Sequence, residues 1–129
     1  EMADSAMDLD TLGAAEAART RANATLAALF DQVDFIISAT NPDTAFPARL
    51  EVNTRVAGEK VDLGNNGALT IPYNIVGNPA VTIPIEQLDG LPVGMQVATR
   101  HHAEELLLDL AATAESQCPW PLVAPGAPV

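Results

Sequence analysis

Cysteine is almost absent from this sequence. Its one cysteine, Cys118, excludes an internal disulfide framework, which needs cysteine pairs. Proteins without disulfides are typical of reducing compartments, so we expect a cytoplasmic location. The sequence also lacks an apolar run that approaches the ~18 residues of a membrane-spanning helix. It opens without the basic and apolar regions of a secretory signal. We therefore expect no membrane partner.

Basic and aromatic residues are also scarce. Six Lys and Arg stand against 17 Asp and Glu, which gives a formal net charge of −11. That charge argues against a surface that binds phosphates, so we expect no nucleic-acid partner. Aromatic residues make up only 4% of the chain, but the hydrophobic fraction of 48% is sufficient for a core of aliphatic side chains. The chain is therefore expected to fold.

Most of the specific sequence signals lie in residues 69–99. Two short apolar runs, Ala80 to Ile85 and Val93 to Thr99, are rich in β-branched residues and predict strands. The pair Asp89-Gly90 between them is typical of a turn. We therefore predict two neighbouring strands that pair antiparallel.

Helical and strand patterns alternate along the chain. Residues 34–40 have an unbroken apolar centre, which predicts a strand covered on both faces. A helix pattern leads into this strand with almost no loop, as is typical of α/β layering. We treat 1–129 as one segment, with a lead-in (1–12), a helix (13–33), strands and a long loop (34–99), a helix (103–117) and a Pro-rich tail (118–129). Within the long loop, Leu50 to Thr54 predicts a short strand.

Residues 70–96 resemble a known family. Four motifs in this range are similar, in order and spacing, to the last block of the amidase signature family: Thr70-Ile71-Pro72-Tyr73-Asn74, Gly77-Asn78-Pro79-Ala80, Ile83-Pro84 and Gly90-Leu91-Pro92-Val93-Gly94-Met95-Gln96. The resemblance spans roughly residues 14–117 and covers only the C-terminal end of the family. It implies an α/β fold in which part of a mixed β-sheet is flanked by helices.

Nucleophilic catalysis requires a hydroxyl or thiol beside a base that a third group holds in place. The serines are Ser5, Ser38 and Ser116, and none follows a Gly-rich turn. Cys118 is separated from the pair His101-His102 by a whole predicted helix. We therefore predict no catalytic residue in this chain.

The pair His101-His102 followed by Glu104-Glu105 contains the side-chain types that bind metals. Adjacent residues point in different directions on a regular backbone, however, and the sequence has neither HExxH nor a cysteine pair. We interpret this stretch as an exposed connection between a strand and a helix. No metal and no cofactor are expected.

The resemblance also implies where the chemistry lies. Amidase signature enzymes use a Lys, Ser, Ser triad embedded in a Gly/Ser-rich stretch, which this sequence lacks, and Lys60 lies outside the lysine motif of the family. The implied function is the C-terminal segment of an amidase that hydrolyses carboxamide C–N bonds through a serine acyl-enzyme, with its catalytic residues outside this chain. The tRNA-dependent branch carries an Asp near the position of Gly67, so a general amidase is preferred to an amidotransferase A subunit.

Two other functions stay open. The chain is alternatively a naturally short, non-catalytic binding or assembly module, or a split-enzyme subunit that pairs with a catalytic chain. A further alternative is the A subunit of a tRNA-dependent amidotransferase. The partners expected are a small-molecule amide substrate, as part of the full enzyme, and a missing catalytic segment or a second copy of the chain. A self-sufficient module should unfold cooperatively as a monomer.

Five residues at strand ends and turns are candidates for contact with substrate, because ligands of α/β sheets bind at such positions. The alternative is turn chemistry, since Asn tolerates left-handed backbone and Gly supplies positive φ. The candidates are Thr40, Asn41, Asn74, Gly77 and Asn78.

Overall fold

The computed structural model describes residues 8–62 and 66–121. In chain order the elements are α1 (Leu9–Phe30), β1 (Ile36–Ala39), β2 (Arg55–Val56), β3 (Glu59–Lys60), α2 (Ile71–Val76), β4 (Ala80–Leu88), β5 (Leu91–Ala98) and α3 (Glu104–Gln117). The main sheet has the order β1-β5-β4, and both pairings are antiparallel. Strands β2 and β3 form a separate hairpin.

Helices cover both faces of the main sheet. Ala98 packs with Phe30 of α1 and Tyr73 of α2 on one face. Val97 packs with Ile83 and with Leu107 of α3 on the other face. Consecutive strand residues point to opposite faces, so β5 contributes to both small cores. This arrangement confirms the predicted α/β class.

The predicted antiparallel pair is confirmed and is longer than expected. Ala80 pairs with Ala98 at one end of the hairpin, and Leu88 pairs with Leu91 at the other. Asp89 and Gly90 have φ values of 52° and 78°. Positive φ at both turn residues matches the right-handed twist of the flanking strands, which is why this dipeptide closes the hairpin.

The first helix begins earlier than predicted. Asp8 caps it, because its Oδ1 accepts a hydrogen bond of 2.7 Å from the Thr11 N–H. The helix therefore starts at Leu9 instead of residue 13, and it ends at Phe30 instead of residue 33. Of the predicted lead-in, residues 1–7 lie outside the described part of the chain.

Two strand predictions are corrected. Residues 34–40 were expected to be covered on both faces, but the Ile37 side chain of β1 is 61% exposed. The strand predicted at Leu50 to Thr54 is wrong, because the pairing lies just downstream, in β2 and β3. Ala57 and Gly58 have φ values of 50° and 84°, and this two-residue turn fixes where the chain reverses.

Helix α2 is a short element that the sequence did not predict. It has six residues, carries Pro72 in its first turn and ends at Gly77, whose φ of 82° forms a left-handed C-cap. After α3, Trp120 packs against the core cluster that contains Leu107. Residues 122–129 of the predicted tail lie outside the described part.

No helix of the described residues has the length and apolar composition needed to cross a membrane.

Candidate functional site

A groove of about 520 Å³ opens where β1 ends. Four parts of the chain form its walls: the end of β1 with the turn that follows it, the segment before β2, Asn66, and the hairpin end of β4 and β5. The lining residues are Ala39, Asn41, Pro42, Asp43, Thr44, Ala45, Phe46, Glu51, Val52, Asn53, Asn66, Leu88, Pro92, Val93 and Gly94. Apolar walls with a few amide and carboxylate groups are typical of small-molecule sites.

Next to the groove, the three strands pack tightly around Gly94. The Thr40 N–H donates to the Gly94 carbonyl at 2.9 Å, which carries the β1–β5 pairing one residue past β1. The hydroxyl of Thr40 donates across Gly94 to the hydroxyl of Thr82 at 3.3 Å. A Cβ on Gly94 would lie 2.7 Å from the Thr82 methyl carbon and 2.9 Å from the Thr40 hydroxyl oxygen. Only glycine fits this position without displacing its neighbours.

Asp43 links the β2–β3 hairpin to the turn after β1 through hydrogen bonds. One carboxylate oxygen accepts from the Thr44 N–H at 2.8 Å, and the other accepts from the Ala57 N–H at 2.9 Å. These backbone donors, Thr44 before Ala57, hold the pKa of the Asp43 carboxyl below its ordinary value of 3.8. The ionised carboxylate therefore fixes the hairpin beside the groove.

Asn53 and Asn66, which both line the groove, are hydrogen-bonded to each other. The Asn66 side chain accepts from the Asn53 N–H at 2.8 Å and donates to the Asn53 carbonyl at 3.1 Å. It thereby imitates the two bonds of a strand pair. The Asn53 side chain in turn accepts from the Arg55 N–H at 3.2 Å. The long loop is therefore organised by asparagines rather than by a long strand.

Gln96 ties a second turn to the sheet. It is 4% exposed, and its Nε2 donates to the Ser38 hydroxyl at 3.2 Å and to the Leu69 carbonyl at 2.8 Å. This one amide joins β1, β5 and the turn that leads into α2. In the sequence, Gln96 is a lone polar residue inside the apolar run of β5. This pattern alone does not predict which groups the side chain bonds to.

The five predicted substrate residues fall into two groups. Asn41 lines the groove, and Thr40 directly precedes it in the chain without being a lining residue. Asn74, Gly77 and Asn78 lie at the opposite end of β5, about 17 Å away at ~3.4 Å per strand residue. The structure therefore does not bring all five into one site.

The second group makes contacts that stabilise the fold. Asn78 is buried, and its Nδ2 donates to the Thr99 carbonyl at 2.9 Å. Gly77 forms the C-cap of α2, and its N–H donates to the Tyr73 carbonyl at 2.7 Å. Asn74 lies exposed on α2. Gly77, with a φ of 82°, matches the alternative of turn chemistry. Asn78 does not have the left-handed backbone of that alternative, and its side chain bonds to a distant carbonyl instead.

A model of the amidase family, described as Amidase, matches residues 2–108. The chain belongs to the amidase family. Among curated relatives, it is 36% identical over 104 residues to the A subunit of glutamyl-tRNA(Gln) amidotransferase from Salinispora tropica, and 33% identical over 103 residues to that from Listeria monocytogenes. The matches cover 81% and 80% of this chain but only 20% of each relative. The chain thus spans about a fifth of the length of the curated relatives it matches.

Solved structures of the amidase family share the fold. A bacterial aryl acylamidase of the amidase signature family superposes with a TM-score of 0.76 at 24% identity, covering 89% of this chain and 24% of that one. The A subunit of glutamyl-tRNA(Gln) amidotransferase from Thermotoga maritima gives a TM-score of 0.63 at 30% identity, covering 79% of this chain and 21% of that one. The β1-β5-β4 sheet with its helices therefore corresponds to 24% and 21% of these two chains.

Neither described serine of this amidase-family chain is hydrogen-bonded to a base. The Ser38 hydroxyl donates to the Ala39 carbonyl at 3.0 Å and accepts from Gln96. The Ser116 hydroxyl donates to the Thr113 carbonyl at 2.8 Å. Ser5 lies outside the described residues.

The histidine pair lies in an exposed turn between β5 and α3, as the sequence predicted. The Nε2 of His101 is 3.3 Å from the Asn23 side-chain oxygen of α1, so this ring links the turn to the first helix. Among the described residues, no group of three or more His, Cys, Asp or Glu is arranged to hold a metal ion.

Proposed function

We propose that this chain is the C-terminal segment of an amidase that hydrolyses carboxamide C–N bonds. In this proposal a serine outside these 129 residues attacks the carboxamide carbon, releases ammonia or an amine, and leaves an acyl-enzyme that water hydrolyses. The observation that carries the proposal is the match of the amidase family to residues 2–108. The groove at the end of β1 supports it, because apolar walls with a few polar side chains suit a small carboxamide.

Within the groove, Asn41 is the residue that we propose to contact the amide substrate. It lines the groove, and a side-chain amide offers both a donor and an acceptor to a carboxamide. Thr40 supports it indirectly, since its hydroxyl is bonded to Thr82. Phe46 and Val93 provide apolar surface beside Asn41 for the rest of the substrate. A cytoplasmic location is part of this proposal.

The proposal is tested on the polypeptide that contains this sequence in its source cell. That polypeptide is purified, its intact mass is measured, and ammonia release is assayed with a panel of carboxamides. We expect a mass several times the 13.5 kDa of this chain, together with hydrolysis of at least one carboxamide. A serine-directed sulfonyl fluoride should abolish hydrolysis and label a serine outside these 129 residues.

The isolated 129-residue chain is the control. We expect it to hydrolyse none of the carboxamides and to take up no label, because neither Ser38 nor Ser116 has a base beside it. Labelling of Ser38, or hydrolysis by this chain alone, would show that the active serine has been placed wrongly. A native mass near 13.5 kDa with no hydrolysis would favour the short binding module instead.

A second candidate is the A subunit of a tRNA-dependent amidotransferase. It is favoured by the names of the curated relatives, which are A subunits of glutamyl-tRNA(Gln) amidotransferases. Against it stands Gly67, which occupies the region where that branch tends to carry an Asp. Conversion of glutamyl-tRNA to glutaminyl-tRNA by the native polypeptide and its co-purifying subunits, in the presence of glutamine and ATP, would identify this function.

A further inference from the structure

The dipeptide Asn66-Gly67, at the wall of the groove, is chemically labile. Asn is one of the thermally labile residues of proteins. The backbone nitrogen of the next residue can attack its side-chain amide, and this attack is least hindered when that residue is glycine, which has no Cβ. Asn66-Gly67 is the one Asn-Gly pair in the 129 residues. By contrast, Asn41 and Asn78 are followed by Pro, which has no N–H to react.

The structure favours both residues of this labile pair. Asn66 both accepts from and donates to the backbone of Asn53, which only an amide side chain of this length can do. A Cβ on Gly67 would lie 2.7 Å from Cγ1 of Ile71. The Gly67 carbonyl also accepts from the Thr70 N–H at 3.1 Å, at the turn that leads into α2. The lability is therefore a consequence of packing and hydrogen bonding at this place.

The surroundings of Asn66 slow the reaction without blocking it. Asn66 is half-buried and lines the open groove, so water has access to its amide. The bonds of 2.8 Å and 3.1 Å to Asn53 hold the amide, and both must break before its Cγ can turn toward the Gly67 nitrogen. Reaction therefore requires a local opening of the wall.

We propose that Asn66 is a site of spontaneous deamidation in the folded protein, restrained by Asn53, and that its conversion opens the wall of the groove. The Gly67 nitrogen forms a bond to the Asn66 Cγ. The side-chain nitrogen leaves as ammonia and takes the proton that the Gly67 nitrogen loses. Water then opens the resulting five-membered imide at either carbonyl, which gives aspartate or isoaspartate.

Both products disrupt the contact with Asn53. An ionised carboxylate can only accept, so an oxygen replaces the nitrogen that stood 3.1 Å from the Asn53 carbonyl oxygen. Isoaspartate in addition lengthens the backbone by one carbon. Repulsion between the two oxygens separates the segments around residues 53 and 66. The groove also gains a third carboxylate beside those of Asp43 and Glu51.

The reaction is measured on the native polypeptide that contains this sequence. It is incubated at mildly alkaline pH, folded in one sample and in concentrated urea in another. Mass spectrometry with electron-transfer fragmentation follows the replacement of NH₂ by OH and distinguishes isoaspartate from aspartate and Asn66 from Asn65. We expect deamidation at Asn66 in both samples, about tenfold more slowly in the folded one because two hydrogen bonds must break. Asn41 and Asn78 are internal controls and should stay unchanged.

Two outcomes of the incubation would overturn the proposal. Deamidation in urea with none in the folded polypeptide would show that the fold blocks the reaction. Equal rates in the two samples would show that Asn53 does not restrain the amide. Neither outcome depends on the proposed amidase activity, because the reaction uses only Asn66, Gly67 and water.

A matched pair of variants tests the effect on the groove. Asn66→Asp and Asn74→Asp in the native polypeptide add the same charge, and Asn74 is exposed on α2. In Asn66→Asp we expect the Asn53 amide to exchange its hydrogen about tenfold faster, because the segment that holds it moves away. In Asn74→Asp this rate should equal that of the parent. An unchanged Asn53 rate in Asn66→Asp would contradict the opening of the wall.

Discussion

Gly94 shows how a single residue permits close packing between neighbouring strands. It lies on the central strand, between threonines on the two outer strands that are hydrogen-bonded to each other across it. A side chain at this position would press against both Thr40 and Thr82. The PVG motif of the sequence therefore has a packing reason as well as a family resemblance.

Replacing Gly94 by Ala should destabilise the chain. The new Cβ would lie within 3.0 Å of two branched side chains held on strands, so we expect a loss of about 1–3 kcal/mol in the free energy of unfolding. Urea denaturation measures this loss. Gly13→Ala is the control, because nothing lies within 4 Å of its added Cβ in α1, and there we expect a gain of about 0.5–1 kcal/mol. A Gly94→Ala chain as stable as the parent would refute the close packing of Thr40 and Thr82.

The carboxylate of Asp43 should make attachment of the hairpin depend on pH. Its folded pKa is lowered, so its contribution is complete above the unfolded value of 3.8 and is lost as pH falls through the folded pKa. We expect the Ala57 amide to lose protection against exchange below about pH 4. Asp43→Asn should show reduced protection already at neutral pH, because an amide oxygen cannot supply two charged acceptors. Protection that stays constant down to pH 2 would contradict this role.

Helix α1 is an element whose contact with the fold is unusually small. Of its 22 residues only Phe30 is buried, and Leu26 packs beside it. Its exposed flank pairs locally instead, as between Arg19 and Glu16 at 2.7 Å. The helix is therefore held to the sheet by its last two turns.

Removal of the Phe30 ring should release this helix. Phe30→Ala deletes the one buried side chain of α1, at a cost of about 3–5 kcal/mol in the free energy of unfolding. We expect exchange protection to disappear along Leu9–Phe30 while the β4–β5 hairpin keeps its protection. Leu9→Ala is the control, since Leu9 is 85% exposed and its truncation should change nothing measurable. If α1 stays protected in Phe30→Ala, then other contacts hold the helix.

At the scale of the whole molecule, the chain carries a net charge of −11 with few opposite charges to compensate it. The ion pairs found among the described residues are Arg19–Glu16 and Arg100–Asp34, and both are exposed. Exposed pairs contribute little to stability. Repulsion between the unpaired carboxylates therefore outweighs the ion pairs.

Salt should consequently stabilise the isolated chain. An increase from about 0.01 M to about 0.15 M NaCl shortens the screening length from about 30 Å to about 8 Å and weakens this repulsion. We expect the midpoint of thermal unfolding to rise, as measured by circular dichroism at both salt concentrations. A midpoint that falls with salt would mean that the two ion pairs contribute more than the repulsion costs.

Elements with local signals were predictable from the amino-acid sequence. Asp89-Gly90 between two β-branched runs specified the β4–β5 hairpin, and the Ala- and Leu-rich stretches specified α1 and α3, because turn dihedrals and helical periodicity depend on near neighbours. The sequence also identified Asn41 as a candidate, since this residue directly follows a strand. The family resemblance was likewise evident from the residues alone.

Only the tertiary structure decided which of these residues lie together. It separated Asn41 from Asn78 by the length of β5, because strands that run antiparallel place successive turns at opposite ends of the sheet. It assigned Gln96 and Asp43 their roles through bonds to distant backbone groups, Leu69 and Ala57, which no local pattern encodes. It also left Ile37 exposed on an open edge. Burial of a strand depends on the elements that pack on it, and the residues of the strand itself do not specify those elements.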